Sequence, residues 1–115
     1  MRAALEKMLA SGRDDALLRF SLGNACLKEG DARAAAEHFS SAVAHDPAYS
    51  AAWKLLGKAR AESGDTAGAE AAWHRGIEAA HARGDVQAAK EMQVFLKRLL
   101  KSRGGKSAQG EADSR

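Results

Sequence analysis

A fixed step of 34 along the chain relates its middle to the stretch that precedes it. Positions 53–77 read WKLLGKARAESGDTAGAEAAWHRGI, and positions 19–43 spell a variant of that segment. Residues of the same type or similar size recur at this step in five places: Leu22-Gly23 and Leu56-Gly57, Gly30-Asp31 and Gly64-Asp65, Ala35 and Ala69, Phe39 and Trp73, and Val43 and Ile77. A repeat of this length indicates similar units that stack and share one core.

Each unit is predicted to be a hairpin of two helices. Gly64 supplies the left-handed residue that ends one helix, and Asp65 caps the next. Gly57 lies inside a predicted helix, where glycine costs about 0.5–1 kcal/mol relative to alanine, so we expect a neighbouring helix to approach closely there. Alanine is abundant, proline and isoleucine occur once each, and no β-branched run suggests a strand. The sequence therefore predicts an all-α fold.

The spacing of residues within the repeat has a known counterpart. Trp53, Leu56 and Gly57, followed by Ala69 and Trp73, match the pattern W-x2-L-G and then A-x3-F. This resembles the tetratricopeptide repeat family, although Arg60 replaces the usual Tyr and His81 the usual Pro. The resemblance implies a short right-handed solenoid of about six helices, including capping helices at both ends. It also implies a binding scaffold and not an enzyme.

One domain is expected, covering residues 1–102. The opening helix aligns with the second half of a repeat, because the same step leads from Leu5 to Phe39. The last helix lacks the Leu-Gly signature, as a terminal repeat can. The predicted parts are a capping half-repeat (1–13), repeat 1 (16–49), repeat 2 (50–83), a capping helix (84–102) and a disordered tail (103–115), whose Gly, Ser and charged residues cannot offset the entropy of ordering.

The helix over residues 15–29 carries two apolar stripes. One coincides with the repeat signature and is core, namely Leu18, Leu22, Ala25 and Cys26. The resemblance assigns the other stripe to the concave groove that the first helix of each hairpin lines. A shift by the repeat step extends it to Ala51, Lys54, Lys58 and Ala61, and a further shift to Asp85, Ala88, Met92 and Phe95. The candidate peptide-binding groove is Leu17, Phe20, Asn24, Leu27, Lys54 and Lys58.

An apolar wall at Phe20 and paired ammonium groups at Lys54 and Lys58 suit a protein or peptide partner of acidic character with an apolar anchor. Two alternatives to this interpretation remain open. In the first, Phe20 lies under a terminal helix and both lysines are merely solvated. In the second, Met92 and Phe95 pack within the cap instead of contacting a ligand.

The positive charge of the chain is concentrated near its end. Residues 1–89 carry 11 Lys and Arg against 12 Asp and Glu, a net charge of −1, whereas residues 90–106 carry 6 against 1, a net charge of +5. The predicted basic cap face consists of Lys90, Lys97, Arg98 and Lys101. No aromatic residue alternates with these cations as a stacking nucleic-acid site requires, so a solvated face is favoured over a nucleic-acid partner.

Candidate chemistry is sparse. Cys26 is the only cysteine and lies on the core stripe, so we expect a buried thiol. His74 and His81 share a helical face with Glu78, but the two histidines are about 10 Å apart along the axis, too far for one ion. No nucleophile with its base and no phosphate loop is apparent. The sequence predicts no catalysis, no metal and no cofactor.

Location and assembly complete the expectations. Glu6 and Lys7 stand where a signal peptide is apolar, and no apolar run approaches the length of a membrane span, so we expect a cytoplasmic protein with no membrane contact. The alternative function is self-association through an exposed face of a terminal helix. The expected state is accordingly a monomer or a weak homo-oligomer.

Overall fold

Six α-helices make up the computed structural model, which describes the backbone of residues 1–113 and the side chains of residues 1–103. They are α1 (Arg2–Ala10), α2 (Ala16–Lys28), α3 (Ala32–His45), α4 (Ser50–Glu62), α5 (Thr66–Arg83) and α6 (Val86–Asp113). No strand occurs over this stretch of backbone, and the all-α prediction is confirmed. The tail predicted to be disordered lies, apart from Arg103, beyond the described side chains and stays a prediction.

The turns between helices are built as the Gly-Asp pairs predict. Gly64 has a φ of 90°, which only glycine adopts without strain, and the side chain of Asp65 accepts a hydrogen bond from the backbone N–H of Gly68 at 2.9 Å. The same arrangement recurs at Gly30-Asp31 and Gly84-Asp85. A positive-φ glycine and an aspartate cap therefore reverse the chain at fixed points.

The helices pack mainly in sequential order, each against the next, and α4 also touches α6. A Cβ atom added to Gly23 would lie 2.5 Å from the ring of Phe39, and one added to Gly57 would collide with the ring of Trp73. The close approach predicted at Gly57 is therefore present in both repeats. Phe39 is fully buried and Trp73 is 5% exposed, so these two rings form the centres of a continuous core.

The repeat step does not extend to the last helix. The starts of α2 and α4, at Ala16 and Ser50, are separated by the step of 34, whereas α6 begins at Val86, a step of 36 beyond Ser50. The helix α5 has 18 residues against the 14 of α3, and the connection after it has two residues against the four after α3, so the net gain is two residues. Two extra residues turn a helical position by about 200°. The stripe that continues from α4 onto α6 therefore consists of Gln87, Lys90, Val94 and Lys97, all of which are exposed.

This displacement explains where Met92 and Phe95 lie. Met92 is fully buried and meets Gly76, while Phe95 is half-buried with its ring centroid 5.5 Å from that of Trp73. Both side chains pack between α6 and α5, so Met92 lies in the core of the cap, whereas Phe95 packs there and keeps part of its surface exposed. Over the described residues, no helix is long and apolar enough to cross a membrane.

Candidate functional site

The predicted groove residues lie on α2 and α4, where four of the six line two cavities. Leu17 is 60% exposed and is the most exposed of the apolar residues on α2. Phe20 is half-buried, with its ring stacked on that of Tyr49 at 4.8 Å between centroids and edge-on to Phe39 at 5.8 Å. Phe20 therefore belongs partly to an internal aromatic cluster and is less available to a ligand than Leu17.

The first cavity, which we call the α2 cavity, has a volume of about 620 Å³. Leu17, Phe20 and Asn24 line it from α2, together with Leu5 of α1 and Tyr49 of the connection before α4. The amide of Asn24 donates to the carbonyl oxygen of Phe20 at 3.2 Å, which holds that side chain against its own helix. The structure thus brings three of the six predicted groove residues together.

Charged residues close one end of the α2 cavity. The guanidinium of Arg2 on α1 contacts Glu6, Glu29 and Asp31 at 3.2–3.3 Å. The pKa of Asp31 is lowered, first by the hydrogen bond from the backbone N–H of Ala34 and then by Arg2. This cluster joins α1 to the turn between α2 and α3, so the opening helix forms a wall of the cavity while Leu17 stays exposed.

The second cavity, which we call the α4–α6 cavity, has a volume of about 380 Å³. Its apolar lining consists of Ala61 on α4, Trp73 on α5, and Phe95 and Leu99 on α6. The indole N–H of Trp73 donates to the carbonyl oxygen of Lys54 at 3.0 Å, which fixes the orientation of the ring. The charged lining consists of Lys58, Glu62 and Arg98. The cavity therefore combines an apolar floor with a rim that carries one net positive charge.

Lys54 and Lys58 do not act as a pair. The ammonium of Lys54 lies 3.1 Å from the carboxylate of Glu91 on α6, an ion pair that links α4 to α6. Lys58 is exposed and shares its cavity with Arg98. Leu27 is partly buried against the core and lines neither cavity. The structure thus combines Lys58 with a residue of the basic cap face in place of Lys54.

The basic cap face divides in a similar way. Lys90, Lys97, Arg98 and Lys101 are all exposed. Arg98 lines the α4–α6 cavity, whereas Lys97 and Lys101 flank a shallow depression beside Leu96 and Leu100. The combination of Arg98 with Lys58 was not predicted, because it depends on the longer step from α4 to α6. Tyr49 was not predicted either, since no repeat position marks it.

Side chains that could bind a metal ion do not cluster in the described part of the chain. Across residues 1–103, no three His, Cys, Asp or Glu side chains come together as a metal site requires. Cys26 is fully buried, and burial raises the pKa of its thiol. A raised pKa keeps the sulfur protonated at neutral pH and therefore a weak nucleophile.

Comparisons with known proteins agree with this architecture. Residues 27–92 match the family model described as tetratricopeptide repeat. A TPR repeat-containing protein of Pseudomonas aeruginosa is 57% identical over 103 residues, which cover 90% of this chain and 98% of the relative. A solution structure from Bordetella parapertussis has 48% identity and a TM-score of 0.75, with 89% of each chain covered. A tetratricopeptide repeat domain from Salinibacter ruber has 28% identity and a TM-score of 0.68, covering 75% of this chain and 87% of its own. The chain therefore belongs to the tetratricopeptide repeat family.

Proposed function

We propose that the protein is an adaptor without catalytic activity that binds a short segment of a partner protein along the outer faces of α2, α4 and α6. Membership of the tetratricopeptide repeat family makes a protein–protein interaction module the expected class. Within that class, binding of a segment along the groove is the more specific part of the proposal. The observation that supports it is that both cavities open on the predicted stripe, through Leu17, Phe20 and Asn24 in one and Lys58 in the other.

The chemistry of the face favours a ligand that is apolar in part and acidic in part. Leu17 exposes 60% of its surface next to the Phe20–Tyr49 stack, which offers apolar area to a bound side chain. The stripe continues into exposed Lys58 and Lys90. These cations attract carboxylates, so acidic segments should bind more tightly than basic ones, and their binding should weaken as salt is added.

Selection of peptides displayed on phage tests the groove. Immobilised wild-type protein should enrich sequences that combine acidic and bulky apolar residues. Leu17→Asp places on the face a negative charge, which repels acidic peptides, and it removes apolar area. Binding of the enriched peptides should therefore fall about tenfold, which corresponds to roughly 1.4 kcal/mol. Ala71→Asp is the matched control, because Ala71 is an exposed alanine of α5 that lines neither cavity.

Equal losses for Leu17→Asp and Ala71→Asp would contradict binding along this face. Enrichment of basic peptides would contradict the acidic preference while leaving the face itself in place.

Self-association through α6 is the second candidate. The observation in its favour is that Val94 and Leu100 are 46% and 40% exposed. The same surface also exposes Lys90, Lys97 and Lys101, and like charges repel when two copies face each other. Sedimentation velocity at several protein concentrations tests this candidate, since a sedimentation coefficient that rises with concentration supports self-association and a constant one contradicts it.

A further inference from the structure

We infer that the α4–α6 cavity receives one bulky apolar side chain of the partner segment, and that an acidic residue next to it in the partner's sequence pairs with Lys58 and Arg98. This inference rests on the proposed function and deepens it, because it assigns a partner chemistry to one of the two cavities.

One difference between the two repeats adds space to the cavity. Ala61 of α4 is the repeat equivalent of Leu27 of α2, one step of 34 further along the chain. Both side chains contact the core, but the shorter side chain of Ala61 leaves space between α4 and α6. The volume of 380 Å³ falls in the lower part of the range of about 300–1,000 Å³ typical of ligand sites. Space of this size admits a large side chain without any rearrangement of the helices.

The floor of the cavity is apolar and rigid. Trp73 is 5% exposed and its ring is held by the hydrogen bond to the Lys54 carbonyl. The ring of Phe95 lies against it at 5.5 Å between centroids, and Leu99 is half-buried beside them. Removing apolar surface of a ligand from water against these three side chains is favourable in proportion to the area buried. A preformed floor also avoids the cost of ordering side chains on binding.

The charges on the rim of the α4–α6 cavity are the reason for assigning an acidic residue to the partner segment. Among the side chains of residues 1–103, no carboxylate pairs with Lys58 or Arg98, whereas Lys54 is already paired with Glu91. Glu62 is the acidic member of the rim, so one positive charge remains uncompensated. Arg98 also lies within the segment 90–106, whose net charge is +5. A carboxylate beside the apolar side chain meets two cations, while a basic residue there meets a positive field.

Three acetylated and amidated pentapeptides test the inference on the full chain: Gly-Glu-Phe-Glu-Gly, Gly-Glu-Ser-Glu-Gly and Gly-Lys-Phe-Lys-Gly. The indole N–H signal of Trp73 in ¹⁵N–¹H spectra reports on the cavity. Trp53 is the internal control, because its indole N–H donates to the Pro47 carbonyl and its side chain does not line the cavity. The first peptide should move the Trp73 signal and leave that of Trp53 in place, and the other two should bind about tenfold more weakly.

Two variants and a control localise the effect. Ala61→Leu places in α4 the residue that α2 carries at the equivalent position, so the fold should tolerate it while the cavity fills and the Trp73 shift disappears. Arg98→Glu should weaken binding of the first peptide about tenfold, whereas Arg33→Glu makes the same charge change at an exposed position of α3 that lines neither cavity and should change binding less than about twofold. If Ala61→Leu does not fold, the binding measured for Arg98→Glu tests the inference by itself.

The outcomes separate this inference from the proposed function. A stationary Trp73 signal together with shifts at Leu17, Phe20 and Asn24 would overturn the inference and retain a peptide on the groove face. Unchanged binding by both Ala61→Leu and Arg98→Glu would overturn it as well. Absence of shifts on both cavities would count against the proposed function itself.

Discussion

Trp73 is buried to within 5% of its surface although tryptophan has a very large side chain, because Gly57 on α4 leaves room for the ring. Phe39 and Gly23 form the same pair in the preceding repeat. Unlike Phe39, Trp73 donates a hydrogen bond to a backbone carbonyl and lines the α4–α6 cavity. One residue therefore serves both the core and the candidate site.

Replacing Trp73 by alanine should lower the free energy of unfolding by about 3–5 kcal/mol, because the change removes a buried aromatic ring and leaves a cavity. Small domains are stable by only about 5–15 kcal/mol, so a large fraction of the stability would be lost. Urea denaturation followed by circular dichroism measures the difference. A midpoint close to that of the wild type would contradict the central role assigned to this ring.

The glycine and ring pairs could be predicted from the sequence, because both repeats carry them at the same spacing and a glycine within a helix is costly unless a neighbouring helix approaches it. The stack of Phe20 on Tyr49 could not be predicted from the sequence. Tyr49 lies in the connection before α4, and its contact with α2 depends on how that connection crosses the hairpin. For the same reason Phe20 is a less exposed groove residue than its position on the helical wheel indicates.

At the scale of helices, the ends of the first five helices could be predicted, whereas the spacing and the end of the last helix could not. Helix ends follow from local chemistry, namely a positive-φ glycine and an aspartate that caps the next helix, and both can be recognised in the sequence. The place of α6 depends on the length of α5. This helix continues through His81 to Arg83, whereas α3 ends at His45, before Asp46-Pro47. Those extra residues could not be recognised in the sequence, because α6 lacks the Leu-Gly pair that would mark its register.

The connection between α1 and α2 is attached to α3 through Asp14. Its carboxylate accepts hydrogen bonds from Arg19 of α2 at 2.8 and 3.0 Å and lies 2.9 Å from the imidazole of His45 at the end of α3. These contacts, that of Arg19 first, lower the pKa of Asp14 to about 2. A carboxyl group whose pKa is lower in the folded state than in the unfolded state stabilises the fold at pH values above the unfolded-state pKa. This contribution is lost as the pH falls towards the folded-state pKa.

Asp14→Asn should therefore destabilise the protein near pH 6, and the difference in melting temperature from the wild type should shrink as the pH falls from about 4 to about 2. The effect should be small because the ion pair is at the surface. Thermal melts at several pH values provide the measurement, and Asp46→Asn is a control at another partly exposed carboxylate that has no ion pair over residues 1–103. A difference that does not change with pH would show that the charge of Asp14 is not the cause.

At the scale of the whole molecule, α6 covers the open end of the stack. Ala88, Ala89, Met92 and Leu96 are buried on it, and Met92 meets Gly76 of α5. Without this cover, the outward face of α5 would expose apolar surface, as the end of a repeat stack does when its cap is missing.

A chain that ends at residue 85 should consequently self-associate or unfold, whereas a chain that ends at residue 103 should retain the melting temperature of the full protein. Sedimentation velocity and thermal melting of the two truncated chains provide the comparison. A well-folded monomer of residues 1–85 would contradict the capping role of α6.

The two additional residues in front of α6 also determine how large a partner the scaffold can recognise. Gln93 is the counterpart of Gly57 at the longer step of 36, so the place where a further hairpin would approach α6 closely carries a long polar side chain. The face that we propose for binding accordingly consists of the three helices α2, α4 and α6. Helices that pack directly have axes about 8–10 Å apart, and α2 and α4 both pack against α3 rather than against each other, so the proposed face is at least about 20 Å across. An extended chain advances about 3.3 Å per residue, so we expect a partner segment that crosses the proposed face to contact it over at least about six residues.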